Sequence, residues 1–128
     1  MKYYAIIVAG GSGNRMQNSV VKQFLLLDGI PLLMHTLQAF YQSKLKPEIL
    51  LVLSQSQHAN WEELCKTFHF TIPHQVIYGG EQRFHSVKNA LLTIQGAGIV
   101  AVHDAVRPLV SPQLIDKSFK IAQEKEIA

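Results

Sequence analysis

Cysteine is almost missing from this chain: Cys65 is the only one among 128 residues. No internal disulfide can form, which fits a reducing compartment. No apolar run approaches the ~20 residues of a membrane-spanning helix. The start, Met1-Lys2-Tyr3-Tyr4, passes directly into a strand-like segment without the successive charged, apolar and small-residue regions of a secretory signal. The expectation is a cytoplasmic protein with no membrane partner. Charge is sparse, at 16% of residues, with a formal net value of +3. The basic residues are scattered singly, so no polymeric nucleic acid is expected as a partner, although a basic balance suits an anionic ligand. The six histidines, at positions 35, 58, 69, 74, 85 and 103, include no pair at zinc-ligand spacing. No linker, repeat or low-complexity segment divides the chain. With 48% hydrophobic residues, positions 1–128 read as one domain with a core of its own.

What is present alternates. Tyr3 to Val8 is an apolar, β-prone run stopped by Ala9-Gly10-Gly11-Ser12-Gly13. Leu32 to Tyr41 carries apolar residues at helical spacing behind Pro31, and Ile49 to Leu53 is a second buried strand. Asn60 is placed to cap a helix running to about Thr67, with Glu63 reaching back as in a capping box. His74 to Tyr78 is a third strand, ended by Gly79-Gly80. Phe84, Val87, Leu91 and Leu92 mark one face of a third helix, to about Ile94, which Gly96 and Gly98 break. Ile99 to His103 is a fourth strand, and Ser111 caps a fourth helix with Pro112 in its first turn. Strand then helix, four times over, predicts an α/β fold with a mostly parallel sheet, right-handed crossovers and helices on both faces. Ligands of such sheets bind beyond the carboxyl ends of the strands. Three segments fall there: Ala9 to Lys22, Gly79 to Ser86, and His103 to Arg107.

Gly10, Gly11 and Gly13 allow backbone N–H groups to come close to a phosphate chain. Arg15 and Lys22 follow within reach, and two cations can neutralise charge on a transferring phosphoryl group. A plain strand-to-helix turn with two solvated cations fits the same residues. The loop is not a Walker loop, lacking Gly-Lys-Ser/Thr. Nor is it a dinucleotide fingerprint: Met16 stands where the third glycine belongs, and Leu53-Ser54 brings no acid for a ribose. In the second segment two glycines permit close approach to a planar base, and Ser86 falls near a helix start. An ordinary turn would look similar. In the third, Asp104 can hold magnesium on a triphosphate and Arg107 can grip a second phosphate. A capping aspartate in a surface Asp–Arg pair is the plainer alternative. Cys65 and Trp61 read as packing residues, while Lys88 and His85 read as a solvated face.

Three strings taken together resemble the methylerythritol phosphate cytidylyltransferase family of sugar nucleotidyltransferases. They are Ala9-Gly10-Gly11-Ser12-Gly13-Asn14-Arg15-Met16 with Lys22-Gln23-Phe24, Gly79-Gly80-Glu81-Gln82-Arg83-Phe84-His85-Ser86, and His103-Asp104-Ala105-Val106-Arg107-Pro108. The resemblance implies a Rossmann-like three-layer nucleotidyltransferase fold. It implies transfer of CMP from CTP to 2-C-methyl-D-erythritol 4-phosphate with release of pyrophosphate, a step in isoprenoid precursor synthesis. It puts Arg15 and Lys22 at the α-phosphorus and Ala9, Gly10, Gly11 and Gly13 along the nucleotide. Gly80, Glu81 and Ser86 fall at the cytosine, with Arg83 as a loop buttress. Asp104 falls at a magnesium ion, Ala105 beside the nucleotide, and Arg107 in the sugar-phosphate pocket. The chain departs from the family pattern in Val21 and Val8, where prolines are usual, and in Glu81, where aspartate is. The family is longer, so the resemblance also implies an amino-terminal part of a homodimeric enzyme, whose remainder brings a dimerisation arm and a late lysine. Two alternatives stand beside this: ribitol 5-phosphate as acceptor, and a catalytically incomplete CTP-binding fragment.

Overall fold

The computed structural model describes residues 2–9, 24–80, 82–96, 98–105 and 111–125. In chain order the elements are β1 (Tyr3–Ala9), β2 (Leu26–Leu27), β3 (Ile30–Pro31), α1 (Leu32–Tyr41), β4 (Glu48–Leu53), α2 (His58–Thr67), β5 (Gln75–Tyr78), α3 (Arg83–Leu91), β6 (Ile99–Asp104) and α4 (Pro112–Lys125). Four strands make a sheet in the order β5-β4-β1-β6, and every pairing in it is parallel.

The apolar run at the start explains the place of β1. A strand covered on both faces has no solvent side, so its sequence does not alternate. Six of the seven residues of β1 are buried, and it lies between β4 and β6. Its side chains divide by parity, as a pleated strand requires. Ala5, Ile7 and Ala9 join Leu33, Phe40, Trp61 and Phe119, which come from α1, α2 and α4. Tyr4, Ile6 and Val8 join Ala90 and the partly buried Val87 of α3. Three helices therefore cover one face and α3 covers the other, the expected three layers. Helix α1 places Leu33, Leu37 and Phe40 on its buried stripe. Its carboxyl end is tied to α4, because the Ser43 hydroxyl and the Lys44 N–H both donate to the Asp116 carboxylate.

Three details differ from the sequence expectation. Helix α2 begins at His58, two residues before Asn60. A 3-10 turn at Gln55–Gln57 runs straight into it, and the Asn60 amide donates to Gln57 Oε1 at 3.3 Å instead of capping. On α3 the buried face is Ser86 and Ala90, whereas Phe84, Leu91 and Leu92 are exposed. The helix also ends at Leu91, before a turn that carries the chain to Ile94. Third, a small antiparallel hairpin, β2–β3, precedes α1. Its two turn residues, Asp28 and Gly29, have φ of 54° and 78°, the doubly left-handed geometry that Asp-Gly favours in two-residue hairpins. His35 Nε2 meets the Leu27 carbonyl at 2.6 Å and holds the hairpin against α1. Pro31 sits just before α1, as expected, and is its N-cap with extended ψ. The Ser111 cap is as expected, its Oγ accepting the Leu114 N–H at 3.1 Å.

Candidate functional site

Because the four strands are parallel, their carboxyl ends, Ala9, Leu53, Tyr78 and Asp104, share one edge of the sheet. The chain moves outward from β1 through β4 to β5 and then returns to lay β6 on the other side of β1. That reversal makes β1 and β6 a topological switch point, the place where an open α/β sheet leaves a crevice for a ligand. Ala9 and Asp104 stand at it. Of the residues expected to form the site, Gly10, Gly11, Gly13, Arg15, Lys22, Glu81 and Arg107 lie outside the described residues. Ala9, Gly80, Ser86, Asp104 and Ala105 are described, and all five belong to this edge.

The turn after β5 is built tightly. Gly79 N–H donates to the Leu53 carbonyl at 2.7 Å, continuing the strand contact. Gly80 N–H then donates to Ser86 Oγ at 3.2 Å. Ser86 sits in the first turn of α3 and is only 1% exposed. Its visible role is to shape the turn. This bond uses its accepting side, and a hydroxyl also has a proton to give. A Cβ on Gly80 would lie 2.3 Å from His85 Cβ, so only glycine lets the chain pass here without a shift. His85 is half-buried against this turn rather than on a solvated face, and its buried Nδ1 lacks a hydrogen-bond partner among the described residues.

Asp104 ends β6 in register with Val8. Arg83, the first residue of α3, sends Nε and Nη2 to Asp104 Oδ1, each at 3.3 Å. Both side chains are exposed, so the pair orients more than it stabilises. The expected buttressing role of Arg83 thus takes a definite form: it joins the second loop to the third. Ala105 is 1% exposed. Its N–H donates to the Val8 carbonyl at 3.1 Å, and its carbonyl accepts from Thr36 Oγ1 at 2.8 Å. Thr36 was not singled out from sequence, although a threonine among the apolar positions of a helix is a usable signal.

Two further groups border the edge. His58 stacks on Tyr78 with centroids 4.4 Å apart, and its Nε2 meets the Leu53 carbonyl at 3.1 Å. Phe24 stacks on Trp61 at 6.0 Å, and both rings are buried. Trp61 Nε1–H donates to His74 Nε2 at 3.0 Å, while His74 Nδ1 meets the Ile72 carbonyl at 2.8 Å. Only the tautomer with its proton on Nδ1 satisfies both contacts. Trp61 is thus a packing residue. Cys65 is half-buried, and burial, with a smaller push from Glu62, raises its thiol pKa to about 11. A thiol held that high is a poor nucleophile. A cavity of about 400 Å³ lined by Tyr41, Pro47, Ile49, Pro73 and Gln75 lies at the amino ends of β4 and β5, opposite the site.

A sequence model of the family described as 2-C-methyl-D-erythritol 4-phosphate cytidylyltransferase matches residues 3–128. The chain belongs to that family. An enzyme of that name from Azobacteroides pseudotrichonymphae is 53% identical over 121 residues, 94% of this chain and 54% of the relative. One from Phocaeicola vulgatus is 49% identical over 126 residues, 98% of this chain and 58% of the relative. Among solved structures, the 4-diphosphocytidyl-2C-methyl-D-erythritol synthase of Anaerococcus prevotii superposes with a TM-score of 0.76 at 27% identity, covering 96% of this chain and 51% of its own. The chain therefore spans about half the length of the curated cytidylyltransferases it matches. Family enzymes are nucleotidyltransferases, a class that generally works with divalent cations. Among the described residues of this cytidylyltransferase-family fold, Asp104 brings a carboxylate to the carboxyl edge of the sheet. Among the described residues no three His, Cys, Asp or Glu groups come together as a cage. One hard oxygen donor suits magnesium, which keeps several waters and takes its other ligands from phosphates; Asp104 fits that ion. No described helix is long and apolar enough to cross a membrane.

Proposed function

We propose that the protein of which this chain forms a part transfers CMP from CTP to 2-C-methyl-D-erythritol 4-phosphate. The observation that carries the reading is the convergence of Ala9, the Gly79–Gly80 turn and the Asp104–Ala105 turn on one sheet edge, with Ala9 and Asp104 at its switch point. An oxygen of the acceptor's phosphate attacks the α-phosphorus of CTP in line. The bond from the α-phosphorus to the bridging oxygen breaks, and pyrophosphate leaves with that oxygen. Charge on the reacting phosphoryl group is neutralised by Arg15 and Lys22, so positioning and electrostatics carry the step and no covalent enzyme intermediate is needed. Gly10, Gly11 and Gly13 offer backbone N–H groups to the triphosphate. Gly80 and Glu81 read the cytosine, Ser86 supports them, and Ala105 lies along the nucleotide. Arg107 binds the acceptor's phosphate. Asp104 would hold magnesium, which when bound supplies charge neutralisation along the triphosphate. The assembled enzyme is a homodimer.

The test is pyrophosphate release from CTP and magnesium, with methylerythritol 4-phosphate and ribitol 5-phosphate offered separately. The expected result is release with the first acceptor alone. Release with ribitol 5-phosphate alone would reassign the substrate. A second reading, CTP binding without turnover, is favoured by the extent of the chain, about half that of its relatives. Its signature is CTP-dependent thermal stabilisation with no release from either acceptor.

A further inference from the structure

We infer that Thr36 is a positioning residue for the Asp104–Ala105 turn, and through it for magnesium-bound CTP; this rests on the reading of Asp104 given above. The peptide group of Ala105 is buried. At 1% exposure it has no water to bond, so both its polar atoms need partners inside the protein. The N–H takes the last rung of the β1–β6 ladder, on Val8. The carbonyl takes the hydroxyl of Thr36, at 2.8 Å and across 69 residues of sequence.

Thr36 itself is wholly buried. It lies on the face of α1 that carries Leu33, Leu37 and Phe40, where an aliphatic side chain would pack without any polar cost. A threonine within a helix ordinarily returns its proton to the carbonyl four residues back. Here that contact, to Leu32, is 3.5 Å, at the limit of a hydrogen bond, and the shorter bond goes to Ala105. The hydroxyl therefore serves the turn after β6 and not its own helix. With Ala105 clamped between β1 and α1, the backbone of Asp104 is fixed one bond upstream. Arg83 then holds Oδ1 from the other side of the edge. The carboxylate has two independent handles, one through the backbone and one on its oxygen. Magnesium demands near-ideal octahedral ligand placement at about 2.0–2.1 Å, so small displacements of Asp104 should register as lost affinity.

The experiment measures, by calorimetry on the full chain, the magnesium concentration that supports half-maximal CTP binding. Thr36→Val removes the hydroxyl at nearly constant volume, and Thr36→Ser keeps it. A rise of about tenfold in Thr36→Val, the scale of one buried hydrogen bond, is expected, with Thr36→Ser within about twofold of wild type. Melting curves confirm that each variant is folded, and Thr36→Ala replaces the valine variant should that one fail to fold. An unchanged midpoint in a folded hydroxyl-free variant, where Asp104→Asn raises it, overturns the inference and leaves the reading of Asp104 standing. An unchanged midpoint in Asp104→Asn overturns that reading, and the inference falls with it.

Discussion

Replacing Gly80 by alanine should damage the site more than its stability cost alone suggests. The added Cβ would meet His85 Cβ at 2.3 Å and His85 Cγ at 3.2 Å. A β-carbon cannot swing away as the end of a long side chain can, so the backbone of the turn or of α3 must shift. Insertion of a methyl group into such a contact costs about 1–3 kcal/mol. The shift also strains the Gly80 N–H bond to Ser86 Oγ, now 3.2 Å; its loss adds about 1 kcal/mol. The two are coupled through one turn and do not add fully. A total of about 2–3 kcal/mol corresponds to roughly 10 °C in melting temperature for a domain of this size. Ser86→Ala breaks the same hydrogen bond without the clash and should cost about 1–2 kcal/mol. Melting of wild type and both variants, followed by CTP titration below each midpoint, is the assay. Gly80→Ala should lose CTP affinity even when folded, because its turn has moved. Equal melting temperatures for Gly80→Ala and wild type, with equal CTP affinity, would refute the reasoning about this turn.

His74→Ala should leave Trp61 Nε1–H buried without an acceptor and cost about 1–3 kcal/mol. Chemical denaturation read by the emission of Trp61, the single tryptophan, checks this, and an unchanged midpoint would count against the hydrogen bond. Cys65 should react slowly with thiol reagents in the folded protein at pH 8 and faster as pH nears 11. The unfolded thiol ionises near 9.0 and the folded one near 11. Its neutral form therefore supports the fold fully below about pH 9, and that support is lost as pH rises toward 11; Cys65→Ala should flatten this part of the stability profile relative to wild type. Arg83→Ala should change stability by less than about 1 kcal/mol, since both partners of its ion pair are exposed, while raising the magnesium needed for CTP binding; a large fall in melting temperature with no change in magnesium dependence would contradict the orienting role.

Chain-local features were legible. The unbroken apolar run of β1 announces a strand buried on both faces, and Ser111-Pro112 marks the start of α4 with both signals in place. Gly79-Gly80 is a turn in sequence and in space. What escaped depends on contacts distant in sequence or on competition between local partners. Leu91 and Leu92 look like core by hydrophobicity, yet the buried side chains of α3 are the small ones, Ser86 and Ala90. Asn60 has the chemistry of a cap, but the preceding 3-10 turn had already started the helix. Asp28-Gly29 carried a hairpin signal that the shortness of β2 and β3, two residues each, left easy to pass over. The pairings that organise the site, Arg83 with Asp104 and Thr36 with Ala105, follow only from the strand order β5-β4-β1-β6, which alternation of strand and helix does not determine.

On the proposed function, the carboxyl edge between β1 and β6 holds a cytidine triphosphate. Calorimetric titration of the folded chain with CTP, ATP and NAD in the presence of magnesium, repeated on Asp104→Asn, tests it most directly. Saturable binding of CTP, little of ATP and none of NAD is expected, with CTP affinity falling in the variant. A folded wild-type chain that binds no CTP, or binds it equally well without the Asp104 carboxylate, would contradict it.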